Sequence, residues 1–157
     1  MIKIFGQLND SQAEPFLKTM AHPANVYCAL CDRQSLWDSE TINTILKTFP
    51  KGHIDEADLF LILAECIANA VLHGQADILG IHARRRGSVL LISFLQSPPM
   101  QARVGIVLSY ARQGKMTECA TELPGGLGFP ILLKLAHKIT ISGDKHKLQL
   151  WIKVKDD

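Results

Sequence analysis

The segment from Glu56 to His73 constrains the fold more than any other. Leu59, Leu63, Cys66, Ile67 and Ala70 recur along it at the spacing of one helical face. Asp55 precedes it in a capping position and Gly74 follows in the C-cap position. This predicts a continuous helix with one apolar side, and such a side needs a second layer to cover it.

The rest of the chain supplies that layer. Asp38 or Ser39 can cap a helix carrying Ile42, Ile45, Leu46 and Phe49, stopped by Pro50-Lys51-Gly52. Ile78–Ala83 and Ser88–Leu95 read as a hairpin turning at Arg84-Arg85-Arg86-Gly87. Pro98-Pro99 ends its second strand, and Ala102–Arg112 has short amphipathic-helix spacing. Gln113–Pro124 is polar and irregular, followed by Gly125-Gly126-Leu127-Gly128 and a helix over Phe129–His137. Lys138–Ser142 and Lys147–Val154 form a last hairpin around Gly143-Asp144. Leu148, Leu150, Ile152 and Val154 alternate with polar partners, so one face of that hairpin is covered and the other is open. Near the start, Met1–Phe5 and Asn25–Leu30 suit short strands. Ser11–Met20 suits a helix with Ser11 and Glu14 in capping-box spacing. These elements predict an α+β fold, a two-layer α/β sandwich with a mixed sheet and all helices on one face.

Composition narrows the function. The chain has 157 residues, which suits one domain. Seventeen Lys and Arg against fifteen Asp and Glu give a net charge of +2, too balanced for a protein that lives on phosphate backbones, so no nucleic-acid partner is expected. No apolar run reaches the length of a membrane span, and Met1 opens onto Ile-Lys-Ile-Phe without a secretory pattern. Four cysteines are too few for a disulfide scaffold. A cytoplasmic protein with no membrane partner is the expectation.

Two patterns carry candidate chemistry. Along the long helix Glu65, Asn69 and His73 stand one turn apart, forming a stripe at the edge of the apolar face. A carboxamide oxygen there can hold a hard cation while the carboxylate works as a base; the same residues also suit a solvated shoulder of the helix. Gly125, Gly126 and Gly128 open the next helix, where backbone N–H groups can close on an anion; the same glycines also suit a flexible turn.

Taken together, the two patterns resemble a known family. Glu65-Cys-Ile-Ala-Asn69-Ala-Val-Leu-His73-Gly74 resembles the N-box of the GHKL (Bergerat-fold) ATPases, closest to the anti-sigma-factor serine/threonine kinase branch. Pro124-Gly125-Gly126-Leu127-Gly128-Phe129-Pro130-Ile131 resembles that family's second glycine box, in the same chain order. The resemblance implies the Bergerat ATP-binding fold over residues 38–157, with residues 1–37 as an N-terminal extension packed on the same domain. It implies ATP and Mg²⁺ as cofactors, with Asn69 as the Mg²⁺ ligand and Glu65 as the catalytic base. Gly125, Gly126 and Gly128 would cradle phosphates. It also implies a homodimer that partners a sigma factor or an antagonist (anti-anti-sigma) protein.

The family's first glycine box, Asp-x-Gly-x-Gly, is absent. Its place holds Phe94-Leu95-Gln96-Ser97-Pro98, where Gln96 has the donor and acceptor needed to read adenine. The closing strand has Gln149 in place of the usual threonine. Two alternatives follow: a catalytically silent binding module of the same fold, or a histidine-kinase catalytic domain, for which residues 1–35 offer only His22. Other features have blander readings. Cys28-Ala-Leu-Cys31 lacks further ligands at metal spacing and suits strand cysteines. Arg84–Arg86 suits a solvated turn, His73 a C-terminal helix cap, and Lys115 and Thr117 a polar lid.

Overall fold

Apolar residues on both sides of one strand decide the architecture. In the computed structural model, which describes residues 2–114 and 128–154 apart from the side chains of His73 and Arg103, the run Tyr27–Cys31 is buried throughout. Successive strand residues face opposite ways, so such a run needs cover on both faces.

It lies in strand β2 (Asn25–Asp32) of a six-stranded sheet. The others are β1 (Lys3–Phe5), β3 (Ile78–Arg86), β4 (Val89–Ser97), β5 (Lys138–Ile141) and β6 (Lys147–Lys153). Their order is β1-β2-β3-β4-β6-β5; β1 runs parallel to β2 and every other pair is antiparallel. The sheet is therefore mixed, as expected.

The helices are α1 (Asp10–Met20), the short α2 (Arg33–Leu36), α3 (Ser39–Thr48), α4 (Glu56–Ala68), α5 (Arg103–Arg112) and α6 (Phe129–Leu135). On one face Ala29, Cys31, Leu79, Ile81, Leu90, Ile92 and Leu150 meet Ile45, Ile62, Leu63, Val107 and Leu132 from α3, α4, α5 and α6. On the other face Ala13, Phe16 and Met20 of α1 pack on Cys28, Leu30 and Ile78. The expectation that all helices share one face thus fails for α1, because β2 and the start of β3 are apolar on both sides. It holds where the strand alternates: in β6, Leu148, Leu150 and Ile152 are buried and their neighbours are not.

Caps fix the helix starts. Asp38 and Asp55 accept from Glu40 N at 3.0 Å and Ala57 N at 2.9 Å, as expected for α3 and α4. In α1 the cap is Asn9, reciprocated by Gln12, rather than Ser11 with Glu14. The Ser11 hydroxyl instead donates to Asn9 Oδ1.

The two hairpins also differ from expectation. The first turns at Gly87-Ser88, so Arg84–Arg86 belong to β3. Arg84 Nε donates to Asn25 Oδ1 at 2.7 Å, tying β3 to β2. The second spans Ser142–His146, wider than Gly143-Asp144.

Candidate functional site

The site forms where α4 ends. Leu59, Ile62, Leu63, Cys66 and Ile67 bury one side of α4, leaving Glu65 and Asn69 half-buried along its edge. Their one-turn spacing is as the sequence suggests. The helix does not continue unchanged to His73, however. From Asn69 to His73 it widens into a π turn, with Gly74 N donating to Asn69 O at 2.8 Å and Ala76 N to Ala70 O at 2.8 Å. Periodicity cannot reveal such a turn, which inserts one residue into a helical repeat; π turns recur at functional sites. The carboxamide of the stripe therefore stands at the junction between two helical geometries.

Glu65 reaches across to the glycine segment. Gly128 has a left-handed backbone, with φ +69°, immediately before α6. A Cβ at Gly128 would overlap the Glu65 carboxylate, so only glycine permits this approach. Two residues far apart in sequence thus lie against each other. Gly125 and Gly126, with Lys115, Thr117 and Cys119, lie outside the described residues.

Asn69 and Gln96 line one small cavity with Gly74, walled by Cys66, Phe94, Met100 and Phe129. Gln96 sits at the end of β4, is 5% exposed, and donates from Nε2 to Pro98 O at 2.9 Å. A Cβ at Gly74 would lie 2.8 Å from Gln96 Nε2, so the missing side chain leaves room for the carboxamide. The main chain of Gln96 is held twice by His146. Gln96 N donates to His146 O at 2.8 Å, and His146 Nδ1 lies 2.8 Å from Gln96 O. Gln96 and His146 are 50 positions apart, and no local sequence pattern announces the clamp.

The cavity measures about 20 Å³, room for about one water and too little for a purine. Its neighbour Cys66 is a packing residue: burial, and then the Glu65 charge, push its thiol far above the ordinary range. Among the described residues no three His, Cys, Asp or Glu side chains assemble into a metal cage. Magnesium needs no such cage, because it keeps waters and phosphate oxygens and takes one or two protein oxygens. A single carboxamide oxygen, as Asn69 carries, is the kind of ligand that demand allows.

The other sequence candidates separate. Cys28 and Cys31 point to opposite faces of β2, so they cannot share a metal or a bridge. Cys28 Sγ donates to Met20 O at 2.9 Å, and burial pushes the Cys31 thiol up to about 12. Gln149 lies on the α1 side of the sheet, away from the cavity, where its Nε2 donates to Ser93 Oγ at 2.9 Å. No protein-family model matches the chain, and no curated protein matches it.

Proposed function

We propose that this chain is an Mg-ATP-binding domain of the GHKL type, acting as an anti-sigma-type serine/threonine protein kinase and partner-switching regulator. The contact between Glu65 and Gly128 carries the reading, since it joins the two segments that resemble the family's boxes. Asn69, one turn beyond Glu65, lines the same cavity as Gln96. Bound there, Mg²⁺ would neutralise phosphate charge, and Asn69 would hold it. Glu65 would accept the proton of a serine hydroxyl on a small antagonist protein. Gln96 would exchange its bond to Pro98 O for the adenine amino group and ring N1, using both functions of its carboxamide. Gly125, Gly126 and Gly128 would surround the phosphates.

A sigma factor or its antagonist as partner, a homodimer and a cytoplasmic setting belong to the same proposal and rest on the resemblance. Among the described residues no helix is long and apolar enough to cross a membrane.

One observation favours a second reading, a silent partner-binding module of the same fold: the cavity of about 20 Å³ is too small to admit a purine without rearrangement of its walls. Transfer of labelled phosphate from ATP to a candidate antagonist separates the two. The kinase reading expects transfer by the wild type and none by Glu65→Gln. Transfer that persists in Glu65→Gln would remove Glu65 from its role, and absence of transfer with every antagonist would favour the silent module.

A further inference from the structure

A roomy cleft lies on the other side of the sheet. It occupies about 540 Å³ between α1 and the loop joining β5 to β6, within the usual range for small-molecule sites. Phe16, Ile78 and Leu95 give it an apolar floor. Residues of α1 line it together with Asp144 and His146 of the β5–β6 loop.

We propose that this cleft binds a small organic cation, an ammonium or guanidinium group on an apolar body, and that His146 passes its occupancy to Gln96 on the opposite face. The two full charges lining the cleft are both carboxylates, Asp77 and Asp144; Lys145 and Lys147 flank His146 in sequence but do not line it. Asp77 shares its charge with Arg33 at 3.8 Å, so recognition falls chiefly to Asp144. Asp144 is fixed in place: Oδ1 accepts from Ser142 Oγ at 2.6 Å and His146 N at 3.0 Å. The imidazole adds a further acceptor. Its Nδ1 faces the Gln96 carbonyl, which can only accept, so the proton of an imidazole in this contact sits on Nδ1 and Nε2 is the nitrogen free to accept. Of the polar groups on α1, the Ser11 hydroxyl and Gln12 Oε1 are already engaged with Asn9. Acceptors over an apolar floor select a donor-rich cation with an apolar body.

The coupling follows from the same loop. Gln96 borders both this cleft and the small cavity behind it. Its main chain is bonded twice to His146, and Met100 N donates to Lys145 O at 2.8 Å. The loop and the end of β4 therefore form one hydrogen-bonded unit. A ligand that pulls on His146 or Asp144 displaces the backbone that aims the Gln96 carboxamide.

The test is a titration of the isotope-labelled full chain with phenethylammonium, followed by amide NMR without nucleotide, so its outcome does not depend on ATP binding. Saturable shifts are expected at Gln12, Thr19, Asp144 and His146 and at the Gln96 side-chain amide, with Kd of about 1 mM. The neutral analogue phenethyl alcohol should bind about tenfold more weakly, as should phenethylammonium to the exposed-site variant Asp144→Asn. In His146→Ala, Thr19 should still respond while the Gln96 side chain no longer follows. Equal binding of the neutral analogue, no saturation up to about 10 mM, or an unchanged Gln96 response in His146→Ala would overturn the proposal.

Discussion

Acid should destabilise this protein chiefly through one histidine. His82 sits in the middle of β3 and is 3% exposed, and neither ring nitrogen meets a hydrogen-bond partner. It is paired across the sheet with Cys28 and Ser93. Burial, and then the positive charges of Arg84 and Lys147, depress its pKa from 6.5 to about 4. The folded state thus keeps the ring neutral while the unfolded chain protonates it below about pH 6.5. Between these values the unfolded state binds more protons, so stability falls as pH falls, and it levels off below about pH 4. A gap of about 2.5 pH units, at about 1.4 kcal/mol each, limits the loss to about 3 kcal/mol. Replacing His82 with Leu removes the titration together with an unsatisfied polar group. Stabilities from urea denaturation at several values between about pH 7.5 and pH 4.5 should fall progressively further below those of the variant, with wild type losing about 2 to 3 kcal/mol relative to His82→Leu across that range. Other carboxylates titrate in both proteins and cancel in the difference. Parallel pH curves for the two proteins would refute this reasoning, as would a His82 ring titrating near 6.5.

Gly128→Ala meets both a left-handed backbone and the Glu65 carboxylate. It should cost about 1 to 3 kcal/mol by urea denaturation, and phosphate transfer, if wild type shows it, should fall with it. Asp55→Ala removes the side-chain N-cap of α4, the bond to Ala57 N. It should cost about 1 kcal/mol, read as a lower thermal midpoint without change in the sheet signal of circular dichroism.

Much of this fold is written locally. The caps Asp38 and Asp55, the alternation of β6 and the proline stop after β4 each depend on residues a few positions apart, and each appears where the sequence places it. What escaped depends on distance. The side of the sheet that α1 covers follows from the whole apolar run Tyr27–Cys31, which as a short strand alone does not say where its second cover comes from. The arginines of β3 look like a turn until Asn25 Oδ1 is seen to hold Arg84 inside the sheet. In the site, the helical spacing of Glu65 and Asn69 was legible. The π turn after Asn69 was not, because a turn with one extra residue leaves no periodic trace. Nor was the contact of Glu65 with Gly128 or the clamp of His146 on Gln96, since both join segments remote in the chain.

Nucleotide binding decides between a working kinase site and a scaffold that only grips other proteins. Thermal unfolding should be followed while Mg-ATP is raised into the millimolar range, with Asn69→Ala alongside. Ligand at about 100 times its Kd should add about 2.7 kcal/mol, a rise of about 5 to 10 °C for a chain of this size. The rise should require Mg²⁺ and vanish in Asn69→Ala. An unchanged midpoint in wild type, or an equal rise in the variant, would contradict a magnesium–nucleotide site at Asn69.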